Sequence, residues 1–289
     1  MPPLLQKDIT SEYLALFKDR LRELRKEKTK PNIAERNAQK FAIKMVTLKY
    51  LKDVTVINKA EVWNMIYAAH VGRKAGVLIP RETVEKVISA DQSWKKSSGH
   101  AFEEVVKEMA NEALVGTDIS VLLQRDLHDV INKGYLKNDS RDIDWLKKQM
   151  AGGVFDLFVI KNNTVFGCVQ TKTSIRDRVT RDREPSTNAM GRFFWSIAFV
   201  LDGDFLRLPK FKAMVNGGTV EFSNNGWHAM YVYSYPDPAI ITDRIVALDP
   251  ALSIFKENAV SAANEWFGRG RQWMTRDWRP GAPGQNHTS

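Results

Sequence analysis

Cysteine is almost missing from this chain: its 289 residues contain one, Cys168. A lone cysteine excludes an intramolecular disulfide and a cysteine-rich zinc site, and its position inside an apolar run makes it inert packing. Histidine is scarce as well. Five scattered residues without an H-x-x-x-H pair argue against a zinc hydrolase. No apolar run approaches the roughly eighteen residues of a membrane span. The opening Met1-Pro2-Pro3-Leu4-Leu5-Gln6-Lys7-Asp8 lacks the charged and apolar regions of a signal peptide, so a cytoplasmic protein without membrane contact is expected. There are no internal repeats. Acidic residues are in deficit, 34 against 43 Lys and Arg, and the formal charge of +9 favours a polyanionic partner through steering and counterion release. A hydrophobic content of 43% is enough for a sizeable core and excludes a disordered or fibrous protein.

What is present begins with helices. Leu14, Phe17, Leu21 and Leu24 recur at three and four with charges between them, predicting an amphipathic helix from Ser11 to Lys28 that Pro31 ends. Further helices are expected over Lys40 to Lys52, Lys59 to His70 and Pro80 to Lys95, and the basic stretch from Arg20 to Lys30 reads as a solvated face. From Ser97 to Leu114 a buried stripe of Phe102, Val105, Val106, Met109 and Ala113 marks another amphipathic helix, with Glu103 at its margin. Leu122 to Gln149 also reads as helical, with Asp142 and Asp144 in a charged connection. Polar Arg181 to Arg192 suggests a loop or helix start, and Phe193 to Leu201 a core strand. Thr219 to Ser223 and His228 to Tyr235 read as two strands about the Asn224-Asn225-Gly226 turn, the second with one aromatic face of Tyr231, Tyr233 and Tyr235. A last helix is expected over Leu252 to Phe267. The tail from Arg269 to Arg279 interleaves arginine with Trp273 and Trp278, as if to grip DNA or dock on a partner subunit. Pro280 to Ser289 is expected to be disordered.

The segment richest in chemistry runs from Phe155 to Arg178. Asp156 to Ile160 is a short apolar strand opened by a carboxylate, Lys161 to Thr164 a polar turn, and Val165 to Lys172 a second strand. Pairing them as a tight hairpin places the start of the first beside the end of the second, so Asp156 lies near Gln170 and Lys172. A side-chain period of two puts Phe166, Cys168, Gln170 and Lys172 on one face. One carboxylate and one ammonium then converge. Phosphodiester hydrolysis needs a hard cation held by oxygen ligands, a role that suits Asp156, and a positive group that stabilises charge on the phosphoryl oxygens, which suits Lys172.

Asp156, thirteen intervening residues and then Gln170-Thr171-Lys172 resemble the active-site pattern of the PD-(D/E)XK nuclease superfamily. Gln170 stands where most members carry an acid, so a further carboxylate is to be sought elsewhere. The run from Gly99 to Glu103, G-x-x-F-E, looks like the first core helix of that superfamily, whose glutamate faces the metal, and makes Glu103 the second acid. Asp142 and Asp144 are alternative metal ligands, ranked below Asp156 because no strand carries them. Lys172 to Arg178 resembles the segment of type II restriction endonucleases that read CC:GG pairs, the CCGG and CCNGG groups, in which a basic and acidic cluster follows the catalytic lysine. Arg176, Asp177 and Arg178 would then contact bases, arginine donating to guanine and the carboxylate accepting from cytosine.

The resemblance implies an α/β fold, a PD-(D/E)XK restriction-endonuclease-like core in which helices flank a mixed central β-sheet, with an N-terminal helical region. The expected organisation is a helical region over 1–96, a nuclease core over 97–268 and a tail over 269–289. The implied activity is that of a type II restriction endonuclease using Mg²⁺. Asp156 and Glu103 would hold the cation, with Lys172 and Gln170 beside it and Arg176, Asp177 and Arg178 on double-stranded DNA. A homodimer is expected, or a tetramer, and a cognate DNA methyltransferase is implied. Two alternatives stay open: a repair or recombination nuclease on the same fold, and a DNA-binding protein whose nuclease core has decayed.

Overall fold

The computed structural model describes residues 3–53, 58–75, 80–173, 179–234 and 238–280, and the chain divides into two units, Met1–Val105 and Val106–Ser289. The first unit is helical: α1 (Pro3–Lys26), α2 (Pro31–Lys52), α3 (Lys59–Ala75) and the start of α4 (Pro80–Ala113). Ile9, Tyr13, Phe17 and Leu24 form the buried stripe of α1, and Ala34, Ala38 and Ala42 give α2 a face of small side chains. Pro31 opens α2 as well as following α1, because at the first helical position its missing N–H costs nothing. Of the basic stretch after Arg20, Arg20 pairs with Glu23 at 2.7 Å and Arg22 with Asp19 at 3.2 Å on the helix surface, as a solvated face would.

The two helices expected on either side of Lys96 are one. Helix α4 passes through Ser97, Ser98 and Gly99 without a break. A Cβ on Gly99 would meet nothing within 4 Å, so no close approach demands glycine there. Glu103 and Glu104 therefore lie well inside a helix and not in its first turn.

The second unit is built on one six-stranded sheet of β1 (Ile119–Leu123), β2 (Leu157–Lys161), β3 (Thr164–Lys172), β4 (Trp195–Asp202), β5 (Ala229–Ser234) and β6 (Ile245–Ala247), lying side by side in chain order. The first three strands pair antiparallel and the last four parallel, giving the mixed sheet with flanking helices that the resemblance implied. The expected hairpin is present. Its turn residues Asn162 and Asn163 have φ of 50° and 60°, the left-handed pair that a two-residue turn between twisted strands needs.

One detail of the hairpin differs from a strict alternation. The register jumps from Val159↔Gly167 to Ile160↔Val165, leaving Phe166 as an extra residue. This β-bulge turns Phe166 to the opposite face from Cys168: Phe166 stacks on Trp195, while Val165 and Cys168 join Phe158 and Ile160 in another cluster. Gln170 and Lys172, beyond the bulge, keep a common face.

Helices α5 (Gln124–Asn132), α6 (Ser140–Ala151), α7 (Val179–Gly191), α8 (Pro209–Asn216) and α9 (Ser253–Ala263) accompany the sheet. Two of the expected elements are corrected and a third is resolved. Leu122 and Leu123 end β1 where a helix was expected, because the strand runs straight into α5 without a turn residue. The segment 219–223 is irregular and forms no hairpin with β5, whose partners are β4 and β6. Polar Arg181 to Arg192, expected as a loop or helix start, is helical as far as Gly191 in α7, the usual form of a crossover between parallel strands such as β3 and β4.

The Arg/Trp stretch after α9 folds back on its own unit. Arg244 donates through Nη1 to the carbonyl of Trp278 at 3.2 Å and through Nη2 to that of Asp277 at 3.1 Å. His228 Nε2–H donates to Thr275 O at 2.9 Å. Trp278 is buried and Trp273 half exposed. Residues 281–289, expected to be disordered, and Tyr235 lie outside the described residues.

Candidate active site

Asp156 immediately precedes β2, and its backbone N–H donates to Val169 O at 3.0 Å, which fixes it against the far end of β3. Its Oδ2 accepts from Thr171 N at 2.6 Å and from Thr171 Oγ1 at 3.2 Å. The middle residue of Gln170-Thr171-Lys172 thus clamps the carboxylate. Lys172 Nζ is 3.8 Å from the same Oδ2, longer than a hydrogen bond but close enough for strong charge attraction. The hairpin logic therefore holds for Asp156 and Lys172, which do come together.

A second carboxylate is beside them that the sequence reading did not single out. Asp182, in the first turn of α7, has Oδ1 3.8 Å from Lys172 Nζ. The ammonium sits between two acids, and the side chains of Lys172, Asp156 and Asp182 are 22%, 18% and 17% exposed, so the cluster is recessed yet open to water. A signal for Asp182 existed. If β3 and β4 are parallel, the helix joining them starts at the carboxyl end of β3, and an acid in its first turn faces the last residue of that strand, Lys172.

Gln170 lies on the same face but is only 1% exposed. Its Oε1 accepts from Trp227 Nε1–H at 2.8 Å, and its Nε2 donates to Asp182 O at 3.0 Å. Glu103 belongs to the N-terminal unit, on α4, where its Oε2 lies 3.3 Å from His100 Nδ1. Of the alternative acids, Asp142 is in α6 and not in a loop. Its side chain, 4% exposed, takes Arg271 Nη1 at 2.5 Å and Nη2 at 3.1 Å, a two-bond ion pair that ties α6 to the C-terminal stretch and occupies it structurally. Arg176, Asp177 and Arg178 lie outside the described residues.

Among the described residues no three His, Cys, Asp or Glu side chains form a metal-binding group. Two carboxylates still suit Mg²⁺, which commonly takes one or two protein carboxylates and completes its shell with water and substrate. Cys168 is not part of this chemistry; complete burial pushes its thiol well above the usual range. No helix among the described residues is long and apolar enough to cross a membrane.

A hairpin-borne carboxylate and lysine on a mixed sheet fit the nuclease pattern that the sequence resembles, and comparison with known proteins narrows the class to type II restriction endonucleases. The family BsaWI restriction endonuclease type 2 matches residues 135–258. The structure resembles that of the pre-specific restriction endonuclease BsaWI–DNA complex, with 44% sequence identity over 96% of this chain and 98% of that one, at a TM-score of 0.66. The chain belongs to the BsaWI restriction endonuclease family. A second structure, the specific restriction endonuclease AgeI–DNA complex, shares the fold at 18% identity and a TM-score of 0.54, over 86% of each chain. A search of curated proteins gave no match.

Proposed function

We propose that this restriction endonuclease cleaves double-stranded DNA in a Mg²⁺-dependent reaction at a short palindromic or pseudo-palindromic site containing G/C pairs, and that Asp156, Lys172 and Asp182 carry the chemistry. The observation behind the assignment is the ammonium of Lys172, 3.8 Å from each of two carboxylates that different elements deliver to one point. When bound by Asp156 and Asp182, Mg²⁺ would neutralise phosphate charge and acidify a water. Thr171 holds Asp156 Oδ2 in place, so the carboxylate meets its ligand without reorganising. Lys172 offers a positive charge to the phosphoryl oxygens as one P–O bond forms and another breaks.

The structures of the related BsaWI and AgeI are DNA complexes, and the charge of +9 suits the same polyanion. Arg176, Asp177 and Arg178, four to six residues beyond Lys172, supply the donor and acceptor types that read G·C pairs in the major groove. A palindromic site is matched by a two-fold protein, so the working unit is a homodimer, each subunit cutting one strand, or a tetramer built from such dimers. The reaction belongs in the cytoplasm with the cell's DNA, where a cognate methyltransferase protects the host's own sites.

The test is a digest of a long duplex of known sequence with Mg²⁺, run with wild type and with Lys172→Ala. Discrete fragments from wild type alone are expected, and their ends give the site. A smear or cutting confined to junctions would replace restriction by repair, and tight binding without cleavage would reject the enzyme reading. Glu103→Ala in the same assay decides whether the acid that sequence alone favoured takes part.

A further inference from the structure

The position that carries an acid in most of the resembled nucleases carries a neutral amide here, and the amide is fully engaged by protein. Gln170 Oε1, the atom it would offer a cation, faces the indole N–H of Trp227 at 2.8 Å. Its Nε2 faces the carbonyl of Asp182 at 3.0 Å, with Val154 O further off at 3.5 Å. A donor on one side and an acceptor on the other leave a single amide orientation that satisfies both, so oxygen and nitrogen are fixed by their partners. The residue is buried and its neighbour Lys172 is not.

The bond to Asp182 joins the main chain of α7 to β3. Trp227, itself buried, closes the bridge from the segment before β5. The far end of that segment is anchored as well, because Asn225 Nδ2 donates to Trp227 O and to Arg276 O, both at 2.9 Å. Thus Gln170 links three pieces of chain at a point one residue from Thr171, which clamps Asp156, and two from Lys172.

We propose that Gln170 is a positioning residue: by bridging Trp227 and the backbone of Asp182 it sets where the first turn of α7 presents the Asp182 carboxylate to Lys172. This rests on the nuclease reading above and changes the part assigned to Gln170 from the sequence, where it stood beside the metal. An acid at this position cannot serve the same end while ionised, since a carboxylate has no hydrogen to give the Asp182 carbonyl. A protonated one can.

The experiment compares wild type, Lys172→Ala, Gln170→Leu, Gln170→Glu and Trp227→Phe by single-turnover cleavage as a function of Mg²⁺ and pH, with amide hydrogen exchange of α7 followed in the free proteins. Gln170→Leu is expected to lower the rate on the order of tenfold to a hundredfold, the cost of a misplaced group. Gln170→Glu should be no better and should need no less Mg²⁺ than wild type. Its rate relative to wild type should rise as pH falls from about 8 to about 6, where a buried acid regains its proton. Trp227→Phe, which removes the indole N–H together with part of a buried ring, should cause a loss of the same kind and add little to Gln170→Leu. Exchange of the N–H groups in the second turn of α7, which bond to the carbonyls of the first, should quicken in all three.

A Gln170→Glu enzyme that works at lower Mg²⁺ than wild type, or gains on it as pH rises, would overturn the proposal in favour of a ligand at 170. Unchanged α7 exchange would do the same without any reference to activity. If wild type and Lys172→Ala behave alike, the nuclease reading fails while the exchange measurements still decide the bridge.

Discussion

Two charged residues sixteen positions apart in the chain, Asp156 and Lys172, meet because a two-residue turn and paired strands leave them no other place. That much was legible from strand propensity, the Asn162-Asn163 turn and a period of two. Asp182 was signalled only on condition that β4 runs parallel to β3, a fact no local pattern states. The bridging role of Gln170, whose partner Trp227 lies on a distant segment, was not legible. At this scale Thr171→Val offers a graded test: it removes one of the two bonds to Asp156 Oδ2 and leaves the backbone N–H. Losing a single hydrogen bond worth about 1 kcal/mol should slow cleavage about fivefold in single-turnover assays.

His228 provides a separate test through pH. Burial, with Arg244 and Arg276 acting in the same direction, lowers its pKa to about 3 despite the opposing bond to Thr275 O. Ser196 N–H donates to Nδ1 at 2.9 Å, so the folded state holds the neutral ring. The unfolded chain binds the proton near the ordinary pKa of about 6.5. Between about pH 6.5 and 3 the unfolded state therefore carries more protons, and the stability contributed by neutral His228 is complete above that window and lost on acidification through it. Melting temperature should fall as pH drops from about 6.5 to 4.5, and His228→Gln should flatten that slope; an equal slope in the variant would remove His228 as the cause.

At the scale of elements, long amphipathic patterns were read well and short or contradictory ones poorly. The bulge at Phe166 inverted a face assignment, because one extra residue shifts every side chain before it to the other side. Strand β6 has three residues, too few for a period, and α4 hid its continuity behind Ser97-Ser98-Gly99. The C-terminal stretch, which alternating Arg and Trp suit to gripping DNA or docking on a partner subunit, is also tied into the fold, most plainly through Arg271. Arg271→Ala would leave Asp142 as a buried charge without its guanidinium, at a cost of about 3 kcal/mol by denaturant unfolding. Arg271→Ala together with Asp142→Asn should recover part of that loss; no recovery would place the effect elsewhere.

On the scale of the whole molecule, the mixed sheet and helical N-terminal unit match the architecture implied by a motif covering under a third of the chain, and 44% identity to BsaWI extends that match over nearly all of it. The excess of basic residues belongs here too, since it predicts behaviour toward a polymer and not a fold. The logarithm of the DNA binding constant should decline linearly with the logarithm of salt concentration, with a slope corresponding to several neutralised phosphates. A shallow slope would mean that few of the basic residues face the duplex. Light scattering at working concentration should return the mass of two chains, or four, and a monomer that still cuts both strands at once would contradict the two-fold account.

Two carboxylates on different elements share one lysine, and the proposal that they make the cutting site together is open to single-turnover cleavage of a duplex carrying the mapped site, comparing wild type, Asp156→Asn, Lys172→Ala and Asp182→Asn at saturating Mg²⁺. Each substitution should slow strand cleavage by on the order of a hundredfold or more while DNA binding persists. An Asp182→Asn enzyme that cuts at the wild-type rate would contradict it.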